Sequence, residues 1–144
     1  PGDALLLLDQ VIYNILVANN DAHAKNYSML LSGGARIAPL YDVSSVLSWD
    51  HVVQYHAQNL SGRKRKPDDM ARRHWDRIAN EAGFNPRNLR LRVQEQIDDM
   101  VAKRVEATDL VSTQPGVSAE MVRHVAELAE QNALRIGRRL RAKD

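Results

Sequence analysis

The chain opens on its most apolar stretch. Between Ala4 and Ala18 only Asp9, Gln10, Tyr13 and Asn14 interrupt a run of leucine, isoleucine, valine and alanine. On a helix these four fall in one narrow stripe. The pattern predicts a helix that starts at Asp3 as N-cap and runs to about Ala18. Apolar around most of its circumference, such a helix belongs at the centre of a domain, packed on several sides. Asn19-Asn20 end it, because asparagine favours loops and tolerates left-handed backbone. Tyr27–Leu31 and Ala35–Ala38 are short strand-like runs around Ser32-Gly33-Gly34, which predicts a hairpin. Pro39, with no N–H to give to a ladder, closes it.

Downstream the period is helical. A short helix is expected over roughly Trp49–Leu60, broken by Ser61-Gly62. Pro67-Asp68-Asp69 opens another that reaches about Ala82 and stops at Gly83. Asn85-Pro86 joins an N-cap to proline at the first helical position. From there Leu89, Val93, Ile97, Met100 or Val101, and Val105 recur on one face. Gln114-Pro115-Gly116 is a linker, and Ser118 caps a last helix with Met121, Val125 and Leu128 on one side. No internal repeat interrupts this order. The reading is a mainly α, single domain over residues 1–144, with one small β-hairpin inside a loop–hairpin–loop unit at 19–42 and a helical subdomain at 67–144.

Composition narrows the setting. With 144 residues the chain can bury a core without staples. It has no cysteine, which excludes disulfides and thiolate metal sites and favours a reducing, cytoplasmic home. The first helix is too short and too polar to cross a bilayer, which takes roughly 20 apolar residues. Pro1-Gly2-Asp3 lacks the positive start of a signal peptide, so no membrane partner is expected. The missing initiator methionine fits a piece of a longer chain. Net charge is +2, no strong overall pull toward nucleic acid. Positive charge is nonetheless concentrated at Arg63-Lys64-Arg65-Lys66 and at Arg135, Arg138, Arg139, Arg141 and Lys143. Such runs can contact phosphates, or simply form solvated faces and loop tips.

The polar unit after the first helix carries the chemistry. Alone, Asp21 could cap a turn and Asn26 could hold a loop. In protein kinases, however, the catalytic loop places an Asp five residues before an Asn, and a second, metal-binding Asp follows. Asp21 and Asn26 have that separation, and the hairpin returns the chain to Asp42. Phosphoryl transfer spreads negative charge over oxygens that Mg²⁺ must bridge, and Mg²⁺ takes hard oxygen ligands. Asp42 would supply a carboxylate and Asn26 a neutral amide oxygen. Asp21 would orient an acceptor hydroxyl and take its proton. Lys25 would place a mobile ammonium near the transferred phosphate. His23 reads as structural, bonding a neighbouring carbonyl or Asp42. Tyr41 reads as a packing residue that directs the second loop, Trp49 and Trp75 as core or interface aromatics, and Ser28, Ser44 and Ser45 as polar neighbours.

The string Asn20-Asp21-Ala22-His23-Ala24-Lys25-Asn26-Tyr27-Ser28, followed by Pro39-Leu40-Tyr41-Asp42, resembles the C-terminal kinase region of the HipA family, the toxins of bacterial toxin–antitoxin pairs. Arg73-His74-Trp75 and Ala79–Phe84 also look like that family's downstream helices. The resemblance implies a helical kinase C-lobe in which Asp21 is the catalytic acid–base group and Asn26 and Asp42 hold metal, with Asn20, His23 and Tyr41 supporting. It implies Mg²⁺ and ATP, a protein substrate bearing a serine or threonine, an antitoxin that binds DNA, and a target such as an aminoacyl-tRNA synthetase. No Gly-rich phosphate loop and no strand lysine precede the catalytic loop. The expectation is therefore an incomplete enzyme whose N-terminal lobe is missing, inactive as it stands. The competing expectation is a non-catalytic helical module that docks an antitoxin or nucleic acid through its basic runs.

Overall fold

The computed structural model describes residues 2–52 and 55–142. Helix α1 (Gly2–Leu16) is followed by a single 3-10 turn at Ala24–Asn26 and a two-stranded antiparallel hairpin, β1 (Met29–Leu30) and β2 (Arg36–Ile37). Met29 lies opposite Ile37 and Leu30 opposite Arg36. A 3-10 turn at Pro67–Asp69 leads to α2 (Arg72–Glu81), α3 (Pro86–Ser112) and α4 (Ala119–Arg141). The architecture is mainly helical with one small hairpin, as the periodicity predicts.

The core gathers one face of every helix: Leu8, Ile12, Ile15 and Leu16 from α1, Trp75 and Ala79 from α2, Leu89, Val93 and Ile97 from α3, Ala133, Ile136 and Leu140 from α4. Met70 and Leu60 close it from the connecting segments. Asn85 caps α3 by accepting from the Asn88 N–H, and Ser118 caps α4 by accepting from that of Met121. Both caps stand where their residue types predict.

Several expectations need correction. Asp3 is not an N-cap; it sits in the first turn of α1, and its Oδ1 accepts from the Ile37 N–H at 3.0 Å, tying the hairpin to the helix. Leu6 and Leu7 are exposed, so the N-terminal half of α1 is open on one side, whereas residues 14–18 at its C-terminal end are buried all round as expected. No helix forms among the described residues of Trp49–Leu60, where turns and bends predominate; Val53 and Gln54 lie outside the described residues. Of the two aromatics expected in the core or an interface, Trp75 is fully buried in the core and Trp49 is exposed outside it. On α3 the buried face ends early, and Val105 stands 57% exposed. On α4, Met121 is exposed, and burial falls on the C-terminal half instead. The distal ends of α3 and α4 thus have only partial cover.

Three of the C-terminal arginines find partners on neighbouring elements while staying at the surface. Arg135 pairs with Asp68 at 3.0 Å, Arg139 with Asp69 at 3.7 Å, and Arg141 donates to Gln94 Oε1 at 2.7 Å. Lys143 lies outside the described residues.

Candidate active site

The site begins where α1 stops. The Asn19 N–H donates to the Asn14 carbonyl at 2.8 Å and the Ala18 N–H to that of Ile15 at 3.2 Å, the paired bonds of a Schellman ending. The left-handed position in this motif falls on Ala18 (φ 55°), not on Asn19 or Asn20. Glycine usually takes that place; an alanine there costs about 1 kcal/mol. Holding it leaves Asn19 free to use its side chain.

Asn19 is buried and organises both loops. Its Nδ2 donates to Asn14 Oδ1 at 2.9 Å and to the Asp42 carbonyl at 3.1 Å, and its Oδ1 accepts from the Asp21 N–H at 3.2 Å. Asn14 donates to the Tyr27 hydroxyl at 3.0 Å. Burial raises the pKa of that phenol, so Tyr27 stays neutral. Asn132 of α4 donates to the Ile15 and Leu16 carbonyls at 3.3 and 2.9 Å, closing the end of α1 from behind. On its polar stripe, α1 is fastened to α3 by Asp9, which meets the Arg92 guanidinium with both oxygens and accepts from Gln96 at 3.0 Å. Gln10 fastens it to the hairpin by donating to the Ala38 carbonyl at 2.7 Å.

The loops meet at Asn26. Its Nδ2 donates to Asp42 Oδ2 at 3.0 Å and to the Asp21 carbonyl at 2.9 Å. Its Oδ1 and the second oxygen of Asp42 are the remaining acceptors of the pair. Asp42 itself is exposed and left-handed (φ 54°), a backbone conformation that costs a non-glycine residue about 1 kcal/mol. The Asp21 carboxylate is exposed to solvent, with Oδ1 2.9 Å from His23 Nε2. His23 therefore has its side chain on the Asp21 carboxylate, rather than on a neighbouring carbonyl or Asp42 as expected. Tyr41 is exposed, so it directs its loop by hydrogen bonds and not by packing: its hydroxyl donates to the Lys25 carbonyl at 3.1 Å and accepts from Ser28 Oγ at 2.7 Å. The Lys25 side chain is exposed and joins none of the ion pairs among the described residues. Asn20 is half-buried beside them.

From the sequence no site role falls to Gln58, His56 or Asn132, and Asn14 counts only as part of a polar stripe and Asn19 only as the end of the first helix. Gln58 donates to the Ala22 carbonyl at 2.8 Å, and the buried His56 bonds the Asn19 backbone. Burial lowers the His56 pKa to about 4, so it is neutral. The available signal was a lone amide on an otherwise apolar helix face, at Asn132. A groove of about 730 Å³ lies between α1, α3 and α4 beside Leu40, and none of Asp21, Asn26 and Asp42 lines it.

Residues 2–107 match the family model described as the HipA-like C-terminal domain. The chain belongs to that family. A Sinorhizobium fredii protein named "Putative kinase Y4mE" is 34% identical over 110 residues, which are 74% of this chain and 26% of that protein. The structure described as the Shewanella oneidensis MR-1 toxin–antitoxin system HipA, HipB and its operator DNA complex superposes with a TM-score of 0.74 at 19% identity, over 96% of this chain and 33% of the other. The fold of this HipA-like domain is thus shared with that HipA complex, while the chain spans about a quarter of the curated relative's length. No helix of the described residues is long and apolar enough to cross a membrane.

Proposed function

We propose that this chain carries the catalytic loop and metal loop of a HipA-like serine/threonine protein kinase, transferring phosphate from Mg²⁺-ATP to a protein hydroxyl. The observation that carries the reading is the Asn26 amide, which holds the Asp21 loop and the Asp42 carboxylate in one hydrogen-bonded unit. Asn26 Oδ1 and the free Asp42 oxygen form a hard-oxygen pair that fits Mg²⁺, an ion that takes few protein ligands and completes its shell with water and phosphate. When bound, the ion neutralises charge on the phosphates.

In this reading Asp21 orients the acceptor, with His23 fixing one of its oxygens and the other open to solvent. The acceptor oxygen bonds the γ-phosphorus as the bond from phosphorus to the bridging oxygen breaks; ADP leaves and the proton passes to Asp21. Lys25, on the same 3-10 turn as Asn26, is within its long side chain's reach of the phosphate. These residues contain no Gly-rich phosphate loop, so an ATP-covering lobe is expected from outside them. By likeness to the HipA–HipB–DNA assembly, a DNA-binding antitoxin is the expected partner of a cytoplasmic toxin.

The test uses the full-length parent with radiolabelled ATP. Transfer that survives Asp21→Asn undiminished sinks the reading, as does robust transfer by residues 1–144 alone.

A further inference from the structure

Residues 61–77 hold seven Lys or Arg against three Asp. Ser61 and Gly62 both take positive φ, 54° and 85°, and reverse the chain so tightly that the Leu60 N–H donates to the Arg63 carbonyl at 2.9 Å. Arg65 braces this turn from within, donating to the Leu60 and Ser61 carbonyls at 3.0 and 3.3 Å. Burial, then the positive charges of Arg63, Arg73 and Arg77, lower the Arg65 pKa, which shows how closely the cations crowd.

The nearby acids are paired with other cations, although Asp69 also attracts Arg65. Asp68 and Asp69 face Arg135 and Arg139, Asp76 faces Arg90 and Arg72, and Glu81 takes Arg77 at 2.7 Å. Arg63 and Lys64 are exposed and form no ion pair among the described residues. Positive charge is therefore left un-neutralised at the tip.

The tip is not an independent loop. Leu60 is rooted in the core, Gln58 bonds the Ala22 carbonyl next to Asp21, and the His56 N–H donates to the Arg65 carbonyl at 2.9 Å. Five residues separate Gln58 from Arg63, so the tip lies within about 17 Å of Gln58 even at ~3.3 Å per extended residue, and the turn at Ser61-Gly62 brings it closer.

We propose that Arg63 and Lys64 form a recognition surface for an acidic segment of the acceptor protein, a few residues from its phosphorylated hydroxyl. The inference rests on the kinase reading for the word acceptor, but not for the binding itself. A short acidic peptide fits better than nucleic acid. The tip is compact rather than a track, and the chain's net charge of +2 gives no extended field.

The test measures fluorescence anisotropy of a labelled serine peptide flanked by glutamates, its glutamine counterpart and a mixed-sequence DNA duplex, each against the full-length protein. The acidic peptide should bind at least about tenfold tighter than the neutral one, a gap of roughly 1.4 kcal/mol. Arg63→Glu with Lys64→Glu should abolish that preference, and Arg63→Gln with Lys64→Gln should weaken it with unchanged circular dichroism. Asp21→Asn should leave it intact. Equal binding of the two peptides, indifference to the charge reversal, or preference for the duplex overturns the proposal. Charge-selective binding without phosphate transfer sinks the kinase reading and leaves the surface standing; transfer without charge-selective binding does the reverse.

Discussion

Asn26 Nδ2 lies 3.0 Å from Asp42 Oδ2 although sixteen residues and a hairpin separate them. One amide hydrogen serves the carboxylate and the other serves the Asp21 carbonyl, so a single side chain keeps both loops in register. Replacing that donor by an acceptor would set two carboxylates against each other. Asn26→Asp in the full-length parent should cut phosphate transfer by about 100-fold, the scale of losing a ligand-orienting partner. Titrating Mg²⁺ against rate checks it; an unchanged rate at every Mg²⁺ concentration removes Asn26 from the site.

Tyr41 reaches across to the Lys25 carbonyl and Ser28 from an exposed position. Tyr41→Phe removes these bonds without opening a cavity. Steady-state kinetics of the full-length variant should show kcat lowered by about tenfold, the equivalent of one hydrogen bond, with thermal stability nearly unchanged. A melting temperature that falls while kcat holds would assign Tyr41 to stability alone.

Asn132 joins α4 to the last carbonyls of α1 across more than a hundred residues of sequence. Asn132→Ala leaves buried carbonyls without that donor and should cost about 1–3 kcal/mol. Urea unfolding of the 144-residue chain measures it directly, and a midpoint within error of the parent would refute the capping role.

His56 and His74 set an acid limit. Burial lowers the pKa of each, at His56 to about 4, and at His74 the charges of Arg65 and Arg73 add to the effect. His74 Nδ1 also accepts from the Ala71 N–H at 3.1 Å, which requires it unprotonated. Both are bases whose folded pKa lies below the unfolded value of 6.5. Stability is complete above pH 6.5 and falls as pH drops toward 4, because the unfolded chain binds protons the folded chain refuses. His56 alone should account for about 3 kcal/mol of loss by pH 4. His56→Gln should flatten that slope in a series of urea titrations; an equally steep slope would place the effect elsewhere.

Much of the helical frame was legible before any coordinates. Asn85-Pro86 and Ser118 announced their helices because capping is decided by a few neighbouring residues. The Gly33-Gly34 hairpin followed from positive φ at both glycines. The expected helix at Trp49–Leu60 did not form among the described residues, because Gln58 and Leu60 answer to distant partners, the Ala22 carbonyl and the core. The Val105 face was misread because periodicity states which side of a helix is apolar, not where its neighbour ends.

The sequence by itself determined the helix and hairpin order, the apolar faces and the spacing of Asp21, Asn26 and Asp42, all of which depend on residue type and local separation. Tertiary structure alone decided that His23 turns to Asp21, that the C-terminal arginines are taken up by Asp68, Asp69 and Gln94, and that Asn19 and Asn132 carry the polar core. Those outcomes depend on which donors and acceptors meet when distant segments are buried together. A buried amide must find a partner wherever the packing supplies one.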